Sequence, residues 1–321
     1  MWRTAALQKW YMTASRAGFK KSMSHNIKLI VTDLDGTFLP DRDYFIEENL
    51  KAVAAAKEAG IRVCIATGRH WGSSKCVLDA APFDALSITG HGAAVVESAT
   101  GKYRYLNPVP GSCLPKLVRH LLNKESLEPV DRPRTHDVDL PKNGSSISLA
   151  TQAFSAVYRP GLTTPMEEQY SYPYGPKYPM VRRAYRDVDS WTASVGENTE
   201  WVTFDIGRIG VEDIAELKQE ISAFAPLEVT TAYGTVMEIT AKGATKGEGI
   251  RWVAEHYGIQ RDEILAIGDN LNDADMFRCA GVGVCVANGH EALKQMAHMI
   301  APACNEAGFA KIVYDCIEGR I

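Results

Sequence analysis

A short apolar run that ends on two closely spaced aspartates constrains the fold of this chain more than any other feature. Residues 29–31 lead through Thr32 to Asp33 and Asp35, and Gly36 follows the second aspartate. Such a run is typical of a buried strand whose carboxyl end meets a functional site. Two carboxylates this close repel each other, so both ionise readily only when a cation lies between them or one holds a proton. The pair favours a site that combines a hard cation with acid–base chemistry, although Asp-Gly also marks ordinary turns.

The same pattern of apolar runs and amphipathic helices returns along the chain. Further apolar runs lie at 61–66, 264–269 and 282–287, and helical patterns lie at 46–59, 246–257, 291–298 and from 309 onward. A strand, a helix and a strand within about 40 residues indicate a parallel crossover unit. We therefore predict an α/β core with a doubly wound, mostly parallel sheet. Because strand ends meet at one edge of such a sheet, Asp33, Thr67 and Asp269 are expected to lie together.

The middle of the chain has a different pattern, which predicts an inserted α+β domain. Strand-like stretches lie at 93–96, 103–106, 146–150, 201–206, 227–231 and 236–239, with helices at 113–122 and 212–224. This pattern is typical of an antiparallel sheet with helices on one face. We predict an N-terminal extension of residues 1–26, a core domain of residues 27–90 and 242–321, and an inserted cap of residues 91–241. Glycines at 90, 92 and 243 lie where hinges are expected, although they also suit plain turns.

Within the predicted cap, residues 159–180 contain five prolines and four tyrosines. Prolines at this density predict a stretch without regular structure. Such a loop could line a substrate pocket or bind a partner. A packed surface loop is the favoured interpretation.

Composition excludes several classes of protein. The chain has 321 residues, which favours a core domain plus a second module. A net charge of -4 predicts no nucleic-acid partner, and the absence of a run of about 18 apolar residues predicts no membrane span. Seven cysteines without a Cys-x-x-Cys pair favour reduced thiols over disulfides or a zinc site.

The first 26 residues carry five basic side chains and no acidic one. A basic, acid-free and roughly amphipathic leader resembles an organelle transit peptide of the mitochondrial kind. An upstream extension before an alternative start at Met23 explains the same residues equally well. We expect the folded domains to be cytoplasmic, and a homodimer is compatible with the sequence.

Four motifs follow one another in the chain, and together they resemble those of the haloacid dehalogenase (HAD) superfamily of phosphatases. The motifs are Asp33-x-Asp35-Gly-Thr, Thr67-Gly68-Arg69, Lys246 within Lys-Gly-Ala-Thr-Lys-Gly, and Gly268-Asp269-Asn270-Leu-Asn272-Asp273. The large insertion between the second and third motifs is similar to the Cof-like branch, whose α+β cap is of the second type. The resemblance extends over the chain from Ile27 onward. One departure is the run Gly90-His91-Gly92-Ala93, where the branch usually carries Asn-Gly-Ala, which leaves the local substrate contact open.

The resemblance implies a role for each motif residue. Asp33 would attack phosphorus to form an aspartyl-phosphate, and Asp35 would protonate the leaving alcohol and later deprotonate water. Thr67 and Lys246 would complete the catalytic set, because phosphoryl transfer requires donors and cations around the phosphoryl oxygens. Mg²⁺ would be held by Asp33, Asp35 through its backbone carbonyl, Asp269, and Asn270 or Asp273 directly or through water. Phosphate or substrate contacts are expected from Leu34, Gly68, Arg69, His91 and Asn272.

Each of these residues also has a structural interpretation when it is taken alone. Thr67 is typical of a helix N-cap, Lys246 of a solvated helix start, and Asp273 of a residue near the positive end of a helix. The four motifs together favour a Mg²⁺-dependent phosphatase acting on a small phosphorylated metabolite, such as a sugar phosphate. Two alternatives remain open: a phosphomutase or phosphotransferase that uses the same intermediate, and a catalytically silent metal-binding scaffold.

Overall fold

The computed structural model describes residues 26–41, 44–124, 147–152, 154–159, 162–164, 166–170, 180–205, 214–232 and 236–321. The predicted N-terminal leader and most of the proline- and tyrosine-rich stretch lie outside the described residues. No helix in these ranges combines the length and the apolar character that a bilayer-crossing segment requires.

The core contains a five-stranded parallel sheet, as the sequence predicts. Its strands are β1 (Leu29–Thr32), β2 (Arg62–Ile65), β13 (Ile264–Gly268), β14 (Val282–Val286) and β15 (Met299–Ala301). They lie in the order β15-β14-β13-β1-β2. Every residue of the central strand β1 is buried, because helices cover both faces of the sheet.

Successive residues of β1 pack into two separate apolar clusters, one on each face of the sheet. The core helices are α1 (Glu47–Glu58), α2 (Trp71–Ala80), α6 (Lys246–Tyr257), α7 (Ala274–Cys279), α8 (Glu291–Lys294) and α9 (Gly308–Ile317). Ile30 packs with Val53 of α1 and Val313 of α9. Val31 packs with Ile250 of α6 on the opposite face. This alternation confirms the doubly wound α/β core.

Several core elements differ from the sequence-based prediction. The helix predicted over 291–298 ends at Lys294, because the chain turns there to form the short strand β15. Helix α2 was not predicted; Gly72, Ser73 and Ser74 in its first turn have low helix propensity. The helix forms because the His70 side chain caps it, with Nδ1 accepting from the Ser73 N–H at 3.3 Å.

A three-stranded antiparallel sheet extends the core. It consists of β3 (Leu86–Thr89), β4 (Ala94–Glu97) and β5 (Tyr103–Leu106). Ile88 bridges to Ala66 beyond β2, and both Ile88 and Val95 pack in the same cluster as Ile250. The β4–β5 hairpin therefore packs on the core, although the sequence placed it within the cap of residues 91–241. We propose that the inserted domain begins after Leu106.

The cap is built on a seven-stranded sheet. Its strands are β6 (Ser148–Ala150), β7 (Phe154–Tyr158), β8 (Met166–Tyr170), β9 (Met180–Tyr185), β10 (Trp201–Asp205), β11 (Leu227–Ala232) and β12 (Val236–Ala241). They lie in the order β11-β12-β10-β6-β7-β9-β8. Helices α3 (Leu114–Lys124), α4 (Val188–Val195) and α5 (Ile214–Ser222) pack on one face through an apolar cluster that includes Met237 and Ile239. The sheet is antiparallel except for β7 and β9, which pair in parallel.

Strand β8 corrects the prediction that residues 159–180 lack regular structure. It pairs antiparallel with β9 and lies at the edge of the sheet. Prolines 165 and 173 flank this strand rather than interrupt it, so its ladder of backbone hydrogen bonds keeps every donor. The prediction from proline content was therefore wrong for the five residues of β8.

The turn Gly90–Gly92 joins two strands on the core side of the inserted domain, and all three of its residues have positive φ. A Cβ at Gly92 would lie 1.9 Å from the carbonyl oxygen of Thr245, so only glycine fits there. Nearby, the Asn107 side chain donates to the carbonyl of Lys242 at 3.2 Å. The chain therefore leaves the core and returns to it side by side, directly before α6.

Glu200, directly before β10, is a buried carboxyl beside the turn Gly90–Gly92. Its side chain accepts from the Tyr103 hydroxyl at 2.9 Å, while its second oxygen has no hydrogen-bond partner among the described residues. Burial raises the pKa of Glu200 to about 8, and the Tyr103 hydrogen bond opposes this only in part. The folded protein therefore favours the protonated form of Glu200.

We expect this carboxyl to make the folded state less stable as the pH rises. Because the folded pKa lies above the unfolded one, the stabilising contribution is complete below the unfolded pKa of 4.5 and is lost as the pH rises through about 8. Glu200→Gln should remove this dependence and make the protein more stable at high pH, by up to about 4 kcal/mol. Urea unfolding of both proteins from about pH 5.5 to about pH 9 measures the difference. Glu255→Gln, on the exposed face of α6, is the control, and parallel pH profiles for wild type and Glu200→Gln would contradict the prediction.

Candidate active site

The candidate site is centred on the ammonium group of Lys246, at the start of α6. Its Nζ lies 2.7 Å from Asp33 Oδ1 and 2.7 Å from Asp273 Oδ1, and its side chain is only 1% exposed. Thr245 caps the helix by accepting the Glu248 N–H at 3.1 Å, which places the lysine at the first helical position. The structure thus brings the first, third and fourth motifs together at the carboxyl ends of β1 and β13.

Asp273 anchors the lysine and the turn that carries Asp269. One of its oxygens contacts Lys246, and the other accepts the backbone N–H groups of Asp269 at 2.9 Å and Asn270 at 3.1 Å. Asn270 itself caps the turn through the Leu271 N–H at 2.8 Å. Both oxygens of Asp273 therefore contact the protein, and its predicted role as a metal ligand stays a prediction.

Three carboxylates form a cluster that could hold a cation. Asp33, Asp269 and Asp273 each offer an oxygen, and these oxygens lie within 4.8 Å of one another. The Thr37 hydroxyl orients Asp269 by donating to its Oδ1 at 2.9 Å. Carboxylate oxygens in this arrangement suit a hard divalent cation. The predicted metal contacts of Asn270 and of the Asp35 backbone carbonyl stay predictions.

Without a cation, burial and mutual repulsion disfavour the ionised forms of these carboxylates. Burial, together with the charge of Asp273, raises the pKa of Asp269 to about 6. Burial also raises the pKa of Asp33 well above its usual range, and Lys246 opposes that rise. Burial alone would lower the pKa of Lys246, but the carboxylates of Asp273 and Asp33 outweigh it and raise the pKa. A divalent cation would relieve the repulsion among the carboxylates.

Asp35 is held by Arg69 of the second motif. The guanidinium donates to both carboxylate oxygens, with Nε 2.8 Å from Oδ2 and Nη2 in contact with Oδ1. Arg69 also donates to the Ser73 carbonyl at 3.5 Å, and its predicted contact with substrate stays a prediction. The bidentate pair engages both oxygens of the Asp35 carboxylate.

The second motif contributes a buried hydroxyl. Thr67 is fully buried, and its Oγ1 accepts the Arg69 N–H at 3.1 Å, which leaves the hydroxyl hydrogen to donate. Leu34 is also buried, so only its backbone can contact a phosphate. Asn272 lies exposed on the turn Leu271–Asp273. The predicted roles of these residues stay predictions.

A family model described as haloacid dehalogenase-like hydrolase matches residues 30–130 and 195–313. The chain belongs to this family. The predicted resemblance is thereby confirmed, and the relatives reported next confirm the predicted enzyme class, a HAD-type phosphatase.

Several relatives of this HAD hydrolase cover most of its length. It is 26% identical to the 5-amino-6-(5-phospho-D-ribitylamino)uracil phosphatase YcsE of Bacillus subtilis, over 90% of this chain and 95% of that protein. It is 23% identical to the pyridoxal phosphate phosphatase YbhA of Escherichia coli, over 89% of this chain and 97% of that protein. It also matches an Arabidopsis thaliana protein named Endoribonuclease YBEY, chloroplastic, at 26% identity, but spans only 46% of that protein's length.

Solved structures with the HAD fold superpose on nearly the whole chain. The phosphatase BT1666 from Bacteroides thetaiotaomicron aligns with a TM-score of 0.67 at 21% identity, over 94% of this chain and 99% of that one. The HAD subclass IIB sugar phosphatase BT4131 aligns with a TM-score of 0.64 at 20% identity, over 89% of this chain and 98% of that one. These likenesses confirm the predicted fold class of the HAD hydrolase, an α/β core with an inserted α+β cap.

Sequence reasoning gave no role to three polar residues that support the site of this HAD hydrolase. Thr37 orients Asp269, as described above. Asn288 holds the first-motif loop, since its side chain donates to the Gly36 carbonyl at 2.8 Å and accepts the Cys304 N–H at 2.8 Å. Glu238 of the cap lies 3.1 Å from His91. Thr37 belongs to the first motif, whereas Asn288 lies outside the four motifs and an isolated glutamate in a strand gives no sequence signal.

Proposed function

We propose that this HAD phosphatase hydrolyses a small phosphomonoester, such as a sugar phosphate, with Mg²⁺ and through an aspartyl-phosphate. The observation that carries the proposal is the 2.7 Å contact between Lys246 and Asp33 within the carboxylate cluster. Relatives named for a ribitylaminouracil phosphate, pyridoxal phosphate and sugar phosphates support a small phosphorylated substrate. The site thus combines a carboxylate nucleophile with an ammonium and a place for a cation.

In the proposed first half-reaction, an Asp33 oxygen forms a bond to phosphorus as the bond to the leaving alcohol breaks. Lys246 lies close enough to neutralise charge on the phosphoryl oxygens, and the Thr67 hydroxyl can donate to one of them. Asp35 gives a proton to the leaving oxygen once Arg69 releases it. In the second half-reaction, Asp35 takes a proton from water, the water oxygen bonds to phosphorus, and the bond to Asp33 breaks.

The residues present fit a magnesium ion. Asp33 and Asp269 would hold it, with Asp273 positioning both Lys246 and the Asp269 turn. When bound, Mg²⁺ supplies positive charge that offsets the repulsion between the carboxylates and the phosphate dianion.

We expect phosphate release to depend on a divalent cation. Chelation with EDTA should lower the rate at least about 100-fold, because the clustered carboxylates then repel the substrate, and added Mg²⁺ should restore it. The measurement is release of inorganic phosphate from 4-nitrophenyl phosphate and from a panel of phosphorylated metabolites. Full activity in EDTA would contradict the metal assignment. A rearranged phosphate ester without net release would favour the phosphomutase alternative.

Several further expectations remain proposals. The basic leader could direct the chain to an organelle, which its composition and the chloroplastic name of the plant relative support. Cytoplasmic residence of the folded domains and a homodimer stay predictions. The proposed role of the cap is to cover the substrate and read its organic part.

A further inference from the structure

The cap sheet presents a polar face on the side opposite its helices. Along β12, Met237 and Ile239 are buried against the cap helices, so Glu238 between them points to the other side. Three hydroxyl-bearing residues lie in cross-strand register with it: Thr230 on β11, Thr203 on β10 and, one strand further, Ser148 on β6. We call this row of four side chains the open face.

The open face meets the core site at His91. The Oε2 of Glu238 lies 3.1 Å from the Nε2 of His91, and both side chains are 14% exposed. The imidazole lies over Gly68 of the second motif, where a Cβ would come within 2.3 Å of the ring. Glu238 and His91 therefore lie between the open face and the residues proposed to bind the phosphate.

His91 keeps hydrogen-bonding capacity for a ligand. Its Nε2 is buried, and no partner among the described residues meets it with hydrogen-bond geometry, since the nearby Glu238 oxygen is misaligned. The backbone of His91 has the unusual φ of 57°. A buried donor without an aligned acceptor usually has one in some functional state of the protein.

Glu238 is held in its ionised form despite its burial. Burial alone would raise the pKa of Glu238, but the neighbouring His91 and the charge of Lys246 outweigh it and lower the pKa. The carboxylate is therefore an acceptor only, and a strong one. It also repels any second anionic group that lies beside the scissile phosphate.

We propose that Glu238 is a specificity-determining residue: it accepts a hydroxyl of the leaving group while His91 donates to the same group, and its charge excludes leaving groups that carry a second anion. This inference rests on the proposed function and names the residue that selects among its substrates. Thr203, Thr230 and Ser148 extend the same hydroxyl-binding surface across the cap. Phosphates whose organic part is purely apolar, or carries a carboxylate or a second phosphate, are the disfavoured classes.

The test compares three phosphomonoesters: ribitol 5-phosphate, pentyl phosphate without hydroxyls, and the anionic 3-phosphoglycerate. For wild type, kcat/KM should be highest for ribitol 5-phosphate. Glu238→Gln should lower that value roughly 10- to 100-fold, as expected for a hydrogen bond to a charged group, and change the value for pentyl phosphate less than about threefold. The same variant should raise kcat/KM for 3-phosphoglycerate, a gain that a merely structural role of Glu238 would not produce.

Glu167→Gln is the matched control, since Glu167 lies exposed on the same cap sheet and pairs with Arg183 at 2.9 Å. This control should keep the wild-type order of substrates. Equal losses on all three esters in Glu238→Gln, or a wild-type preference for pentyl phosphate or 3-phosphoglycerate, would overturn the inference while phosphatase activity stood. No release from these esters or from 4-nitrophenyl phosphate would instead show that the proposed function is wrong, and the inference with it.

Discussion

Replacing Asp33 by asparagine is expected to lower the rate of phosphate release by at least about 10⁴-fold, the scale on which loss of a nucleophile acts. The amide has nearly the same volume as the carboxylate, so packing at the end of β1 should survive. It cannot form the covalent bond to phosphorus, and it removes one of the negative charges that hold Lys246. The measurement is phosphate release with Mg²⁺ present, together with far-ultraviolet circular dichroism and a thermal melt.

Asp189→Asn is a suitable control for this substitution. Asp189 lies on α4 in the cap, 77% exposed, where it pairs with Arg119 at 2.8 Å. The exposed pair should contribute less than about 1 kcal/mol, and its loss should leave the rate unchanged. If purified, folded Asp33→Asn kept full Mg²⁺-dependent activity, the assignment of the nucleophile would be wrong.

Replacing Lys246 by methionine should damage both stability and catalysis. The ammonium is buried between two carboxylates, so its loss leaves Asp33 and Asp273 buried without their shared countercharge. Breaking a buried ion pair from one side costs about 3–5 kcal/mol. Loss of the same charge from the transition state should lower kcat/KM by at least about 10³-fold. Urea unfolding in EDTA isolates the stability effect, because no cation then compensates the carboxylates.

A second substitution separates the two effects of Lys246. The double variant Lys246→Met, Asp273→Asn lacks one of the two unpaired carboxylates. Part of the lost stability should therefore return, while activity stays absent. Lys311→Met is the control for a surface lysine, since its ammonium is half-exposed and contacts Asp315 one helical turn away. A Lys246→Met protein as stable as wild type would show that the buried ion pairs do not form as described.

Most of the core could be predicted from the sequence, because its strands are buried on both faces. Such strands are continuous apolar runs, and the polar residue that ends each one stands out, as Asp33 and Asp269 do. The cap was harder to predict. Strands β7 and β9 and helix α4 were missed, since one face of the sheet is polar and β9 carries Arg182 and Arg183.

Individual roles at the site depended on contacts that no spacing reveals. Asp273 matches a ligand position in its motif, yet the structure uses both its oxygens to hold Lys246 and the neighbouring turn. Arg69 and Asp35 lie in different motifs, and only the fold shows that they form a bidentate pair. Sequence patterns thus located the site, whereas the contacts that each residue makes within it are visible only in the folded structure.

The hydrogen bond between Asn107 and Lys242 has a consequence for the evolution of enzymes with this architecture. Since the two junctions of the inserted domain lie side by side, the domain between them can be lengthened, shortened or exchanged with little disturbance to the core. Changes confined to the inserted domain can then alter which substrate is bound, while the catalytic residues of the core stay the same.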